Sequence, residues 1–535
     1  MNFDTLNYRY PSRRSVIYGR KGMVCTSQPL AAQAGLDILK KGGNAVDAMI
    51  ATAICMTVLE PTSNGIGSDA FDIVWYNGKL YGLNGSGPAP SLETLDAMKK
   101  KGRSSMPERG WDSVTVPGAP GVWAELHRRF GRLPFKELFA AAIDYAENGF
   151  PVHPMVSRMW KTAEKTFAPF RDDPAFRPFF ETFFSSGAPG IGDPARLPCH
   201  ARTLRELAET NCESFYRGRI ADAIDAFSKE TGGLLRREDL AAYRPEWVTP
   251  LSVNYKGYDV CELPPNGHGI VALMALNILR HLDTSAGRDD ELTVHRQLEA
   301  MKLAFTDGRT YISDPRYMKM KTDFLLGENY AAERAAEIGD SALMPSPIDP
   351  NCGGTVYMCA ADGEGNMISH IQSNFRGFGS GIVIPGTGIA LNDRGNGFSM
   401  DPASDNCVAP GKKPYHTIIP GFLMKDGRAL GPFGVMGGFM QPQGHVQVLM
   451  NMIDYGLNPQ EALDAPRWQW LGGRKIEIET GFGNELAEAL RRRGHEVTMT
   501  DDFISFGRGQ IILRDDNGVL MGATEPRADG TVAAW

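Results

Sequence analysis

Cys352-Gly353-Gly354-Thr355-Val356-Tyr357-Met358 is the stretch that decides how the rest of the chain is read. A threonine opens an apolar strand directly behind two glycines. A threonine hydroxyl is a weak nucleophile unless a base sits beside it. Cutting the chain between Gly354 and Thr355 would supply that base as a new α-amino group, with an ordinary pKa of about 7.7–8.0. That value is close to what a general base needs at neutral pH. The two glycines permit backbone conformations that a Cβ would resist. Taken alone, the tripeptide more often marks a strand that merely begins Gly-Gly-Thr. The residues around it carry the argument further.

Beyond the threonine the pattern is one of hairpins. Residues 355–361 and 367–374 alternate around the turn Asp362-Gly363-Glu364-Gly365-Asn366. Residues 418–424 and 428–435 form a second pair, turning at Lys425-Asp426-Gly427, and 511–515 with 519–523 form a third. A helix is predicted over 445–455, and another over 485–493, whose Arg491-Arg492-Arg493 reads as a solvated end. Before the threonine, residues 28–41 are helical and stop at Gly42-Gly43. Asn44 then caps a helix over 45–59, with Asp47 at its third position. That helix is apolar nearly all round and belongs between layers. Residues 71–76 and 258–263 read as strands. Residues 134–149, 203–209, 220–231, 270–282 and 292–311 read as helices, with Pro134 at a first helical position. Residues 342–351 are proline-rich and irregular, a mobile linker of the kind a processing site needs. Helices flanking a strand-rich centre give an α/β layered sandwich.

Composition narrows the function. With 42% hydrophobic and 22% charged residues, the chain is an ordinary globular protein. Its net charge of −7 argues against nucleic acid as a partner. The apolar run 45–59 is too short to span a bilayer, and the polar first fifteen residues hold no secretory signal. The eight cysteines contain no C-x-x-C pair, which is consistent with reduced thiols in the cytoplasm. The ten histidines show no metal-ligand spacing, and no cofactor is expected. No G-x-S-x-G elbow occurs, which disfavours a conventional serine hydrolase.

Taken in order, several motifs resemble the γ-glutamyltranspeptidase (glutathione hydrolase) family of N-terminal-nucleophile hydrolases. They are Gly22-Met23-Val24, Leu39-Lys40-Lys41-Gly42-Gly43-Asn44-Ala45-Val46-Asp47-Ala48, Val116-Pro117-Gly118, Phe378-Gly379-Ser380-Gly381-Ile382-Val383, Gly386-Thr387-Gly388-Ile389 and Ala462-Leu463-Asp464-Ala465-Pro466-Arg467. The resemblance implies a four-layer αββα sandwich made as one proenzyme. That proenzyme would cut itself into a large subunit, 1–354, and a small catalytic subunit, 355–535, which pair as one domain. It places the nucleophile at Thr355, after cleavage at the Gly354–Thr355 bond, and an assisting hydroxyl at Ser373. Gly437-Gly438 match the family's oxyanion hole. The partners implied are a small-molecule amide and either water or an acceptor amine. Homo-oligomerisation stays open.

The departures from the family pattern concern the acyl donor. Where the family carries R-x-x-A-P, whose arginine holds the γ-glutamyl α-carboxylate, this chain has Ser86-Gly87-Pro88-Ala89-Pro90. Phe375 replaces an asparagine, and Arg394 and Gly397 fall where a glutamine or glutamate and an aspartate hold the α-amino group. His416-Thr417 replace a serine pair, keeping one hydroxyl. The catalytic residues therefore match while the amino-acid clamp does not. Phe375, Arg376, Arg394, His416, Thr417 and Gln441 are the candidate substrate contacts, Arg394 as a cation that would favour an acidic acyl donor or as a surface arginine in a polar loop. Three functions follow. The first is a γ-glutamyltranspeptidase-like amidohydrolase or acyltransferase. The second is an amidohydrolase for a small acidic, oxamate-like amide or an enzyme like cephalosporin acylase. The third is a non-catalytic homologue, against which the intact Thr355, Ser373 and Gly437-Gly438 weigh.

Overall fold

The computed structural model describes residues 14–345 and 354–535. Seven strands of its two main sheets precede the Gly354–Thr355 bond: β1 (Ile17–Gly19), β2 (Gly22–Thr26), β3 (Asp69–Tyr76), β4 (Lys79–Gly85), β5 (Glu246–Val248), β6 (Leu251–Tyr255) and β7 (Tyr258–Glu262). Seven more begin at that bond or after it: β8 (Gly354–Asp362), β9 (Met367–Phe375), β10 (Gly421–Lys425), β11 (Arg428–Met436), β12 (Arg508–Arg514), β13 (Leu520–Thr524) and β14 (Thr531–Ala534). One sheet runs β14-β2-β8-β9-β3-β4-β5 and the other β1-β13-β12-β11-β10-β7-β6. Each of the two main sheets thus draws strands from both sides of the bond, so neither belongs to one side alone.

Side-chain alternation builds the layers. Tyr357, Cys359 and Ala361 of β8 point between the sheets and meet Phe71, Phe422, Met436 and Ile512. Val356, Met358 and Ala360 point the other way, into a core shared with helices α1 (Pro29–Lys40) and α2 (Ala45–Leu59). On the far side, Val260, Leu423, Val435 and Ile511 pack against α3 (Gly269–Leu279), α4 (Glu291–Tyr311) and α5 (Met440–Ile453). The order is helices, sheet, sheet, helices, the αββα sandwich. A strand covered on both faces has no reason to alternate polar with apolar residues, and all nine residues of β8 are buried.

The helix that supports the hairpin starts as its cap residues dictate. The Asn44 side chain accepts from the Val46 and Asp47 amides, and Asp47 accepts back from the Asn44 amide. Asp362, in the β8–β9 turn, accepts from the Ala45 amide at 3.0 Å, a carboxylate at the positive end of the helix. All fifteen residues of α2 are buried.

Several boundaries differ from the sequence reading. Residues 134–149 are two elements, a 3₁₀ turn Phe135–Phe139 and a helix Ala140–Asn148, with Pro134 just outside the first. α5 starts at Met440 rather than 445, because Pro442 sits in the first turn, where no amide bond is lost. Arg493 is no solvated helix end: it bonds Glu291 at 2.8 Å and ties the 483–492 helix to α4. A three-stranded sheet, Trp468–Gly472, Lys475–Glu479 and Glu496–Thr500, contains a parallel pair that hairpin reasoning does not find. Cys352-Gly353 and the 346–351 part of the proposed linker lie outside the described residues.

Candidate active site

The β8–β9 hairpin slips register beside Thr355: Gly354 pairs with Phe375 and Val356 with Gln372, so two residues of β9 stand opposite the threonine. One of them is Ser373, whose Oγ lies 2.9 Å from Thr355 Oγ1. The Ser373 hydroxyl also donates to the Gly354 carbonyl oxygen at 2.7 Å. The Phe375 amide at 2.8 Å and an Arg394 guanidinium N–H at 3.2 Å both donate to the same serine oxygen. A carbonyl only accepts, so the serine proton points at Gly354, with the Thr355 hydroxyl in hydrogen-bond range of the same serine oxygen. The arrangement places the Thr355 hydroxyl, the Ser373 hydroxyl and the carbonyl of the Gly354–Thr355 peptide in one network. Phe375 holds a positive φ of 81°, rare for a bulky residue, which turns its amide onto Ser373.

Arg394 is fully buried. Its guanidinium donates to Thr417 Oγ1 at 2.7 Å, lies 3.9 Å from Asp69 Oδ2 and covers the Phe375 ring at 4.3 Å. Asp69 opens β3 directly opposite Ser373. Burial pushes its carboxyl up to about 7, against the pull of Arg394, and burial likewise lowers Arg394 to about 10. His416 Nε2 sits 2.9 Å from Asp69 Oδ2, while its Nδ1 accepts from the Ile418 amide at 3.4 Å. Burial first, then Arg394, push the imidazole well below its ordinary pKa, so it is neutral and donates through Nε2.

A cavity of about 260 Å³ opens at Gly354. Gly437, Arg376, Arg109 and Arg508 share its wall. Gly437 and Gly438 form the turn between β11 and α5, with φ of 139° and 58°. Their carbonyls start the helix by accepting from Met440 and Gln441, while neither turn amide donates to any acceptor among the described residues. Of the six expected substrate contacts, only Arg376 lines this cavity. It bonds Glu108 and Asn396 at 2.8 and 3.0 Å. Phe375, Arg394, His416 and Thr417 are buried behind the serine, and the Gln441 carbonyl oxygen is occupied by the Ile419 amide. Ser86 is buried too, its hydroxyl bonded to Asn84 and Asn266. The sequence reading missed Asp69, Arg109 and Arg508. Arg109 bonds Asp393 at 3.0 Å.

Away from this cavity, His295, Glu299 and His495 gather from α4 and the 483–500 region, close enough to hold a metal ion. The histidines bond each other at 2.9 Å, and Lys302 already supplies a cation to Glu299 at 2.7 Å. That pair also holds both the amide and the carbonyl of Leu343. No helix among the described residues is long and apolar enough to cross a membrane.

Residues 31–535 match the sequence model of the gamma-glutamyltranspeptidase family. The chain belongs to that family. As a γ-glutamyltranspeptidase-family N-terminal-nucleophile hydrolase it is an enzyme, and its relatives carry several activities. The glutathione hydrolase-like YwrD proenzyme of Bacillus subtilis is 35% identical, over 97% of this chain and 99% of that one. The oxamate amidohydrolase proenzyme of Klebsiella pneumoniae is 37% identical, over 96% and 98%. The crystal structure of cephalosporin acylase from Bacillus halodurans superimposes with a TM-score of 0.97 and 57% identity, over 100% of this chain and 99% of that one.

Proposed function

We propose that this family member is a self-processing amidohydrolase in which Thr355 is the nucleophile, and that its acyl donor is not an ordinary γ-glutamyl group. The observation that carries the first part is the Thr355–Ser373–Gly354 network. In the uncut chain the Thr355 hydroxyl attacks the Gly354 carbonyl. Ser373 steadies the carbonyl oxygen, and the threonine hydroxyl proton passes to the peptide nitrogen. The peptide nitrogen leaves as the Thr355 amine, and water hydrolyses the resulting ester. The products are subunits of 354 and 181 residues that stay interleaved through both sheets.

In the cut enzyme the same hydroxyl attacks a substrate amide, with the new α-amine as base. The amides of Gly437 and Gly438 face the developing oxyanion, and the leaving amine takes the proton. Water then releases the acid, or an amine acceptor takes the acyl group. Free thiols at all seven described cysteines favour the cytoplasm as its compartment.

The second part rests on the missing clamp. Ser86 is engaged by Asn84 and Asn266, and the cavity wall carries arginines but no acidic side chain to meet an ammonium. An ammonium desolvated there without a partner costs more than its other contacts return. Similarity to an oxamate amidohydrolase and a cephalosporin acylase supports the same direction. The test compares kcat/KM for a γ-glutamyl anilide with that for the monoanilide of glutaric acid, which differs only in lacking the α-amino group. The expected result is a preference for the glutaric compound of about tenfold or more, 1.4 kcal/mol. A hundredfold preference for the γ-glutamyl compound would restore an ordinary transpeptidase.

A further inference from the structure

Arg508 is the first residue of β12, paired with Met436 and therefore next to the Gly437 turn. The two segments touch: a Cβ on Gly437 would stand 3.1 Å from Gly507 Cα. The Arg508 side chain is only 6% exposed, yet it lines the same cavity as Gly354 and Gly437. It is a buried cation paired at a distance with the buried Glu60 carboxylate but without a conventional hydrogen bond to oxygen among the described residues. Its Nη1 approaches Met159 Sδ at 3.6 Å, a weak acceptor, and Glu60 Oε1 at 3.6 Å, beyond a hydrogen bond. Its Nε has no hydrogen-bond partner. Glu60 spends its other oxygen on Ser27 and Gln28, at 2.6 and 3.2 Å.

The other two arginines of the wall are each anchored by hydrogen bonds to oxygen acceptors. Arg109 is bonded to the buried Asp393 and the Gly379 carbonyl, and Arg376 to Glu108 and Asn396. A guanidinium held nine-tenths out of water with unfilled donors leaves a desolvation cost that an incoming carboxylate would relieve. From this geometry we infer that Arg508 selects acyl groups bearing a carboxylate, so that the enzyme acts on monoamides of dicarboxylic acids. This rests on the Thr355 mechanism proposed above but adds a residue and a substrate class to it. A forked guanidinium matches a carboxylate in two-point contact, which a lysine cannot reproduce. Arg508 contacts the non-reacting end of the substrate, so its effect falls mainly on KM.

The experiment measures kcat and KM for the glutaric monoanilide and for pentanoic anilide, in which a methyl group replaces the carboxylate. Wild type, Arg508→Gln and Arg508→Lys are compared, after each is shown by gel to be cut. The expected result is that the glutaric-to-pentanoic ratio of kcat/KM drops about 10- to 100-fold in Arg508→Gln, mostly through KM, and partly recovers in Arg508→Lys. An unchanged ratio overturns the inference, while failure of wild type to be cut would count against Thr355 and not against Arg508. If Arg508→Gln does not fold, inhibition of wild type by free glutarate and pentanoate decides. Selective inhibition by glutarate supports the assignment, and equal inhibition refutes it.

Discussion

The Arg394 guanidinium donates to the Ser373 hydroxyl oxygen at 3.2 Å, from a position with no access to solvent. The sequence reading took Arg394 either as a substrate contact or as a surface arginine, and the structure puts it behind the serine instead. There it fills a lone pair of Ser373 and fixes the direction of the serine proton toward Gly354. A charge-assisted bond of this kind contributes about 1.5–3 kcal/mol. Arg394→Met should therefore slow both chain cutting and turnover by about 10- to 100-fold, read from the rate of fragment appearance and from kcat. It should also lower Tm, because Asp69 loses its nearest cation.

Asp69 gives a pH dependence. Its carboxyl is raised to about 7, from an ordinary value of about 3.9, so the folded protein binds more protons than the unfolded chain between those limits. Stability from this group is thus highest at low pH, falls as pH rises from about 4 to 7 and levels off above. Asp69→Asn should remove that slope. Tm measured from pH 4 to 8 in both proteins, and subtracted, should show a difference that grows with pH up to about 7. A constant difference would mean that Asp69 does not titrate there.

The Gly437 turn tests the proposed oxyanion donors. Gly437 has φ of 139°, and an added Cβ would press on Gly507 at 3.1 Å. Gly437→Val should misplace the two amides, with a loss of about 100- to 1,000-fold in kcat for a displaced donor. Near-normal kcat in a folded, cut variant would remove the turn from the mechanism.

Lys302 and Glu299 form a wholly buried ion pair that grips Leu343 at both its amide and its carbonyl. Removing one partner of such a pair costs about 3–5 kcal/mol, because the other charge is left unmatched. Lys302→Met should lower stability to denaturant by that amount, while Lys302→Met with Glu299→Gln should restore part of it.

Much of the scaffold was readable because local chemistry and tertiary context agree. The alternation around Asp362 to Asn366 gave the β8–β9 hairpin, and Asn44 with Asp47 gave the start of α2. Thr355 stood out behind its two glycines, and Ser373 was named through the family resemblance, which expects a hydroxyl on the return strand. Asp69 was hidden because it lies just ahead of the strand expected over 71–76, and nothing local says that β3 pairs with β9. Arg508 was hidden for the same reason: its neighbours Phe506 and Gly507 describe an ordinary strand start, and only the β11–β12 ladder carries it beside Gly437. Arg394 was misjudged because a charge in a polar loop usually faces water, and here Ser373, Thr417 and Asp69 compensate its burial.

The central claim is that Thr355 cuts the chain and then serves as its N-terminal nucleophile. Mass spectrometry of the purified protein, with N-terminal sequencing of the smaller fragment, tests it most directly. Wild type should separate under denaturing conditions into two fragments, the smaller beginning at Thr355, and Thr355→Ala should remain one inactive chain. A wild-type protein that is fully active as a single uncut chain would contradict the account.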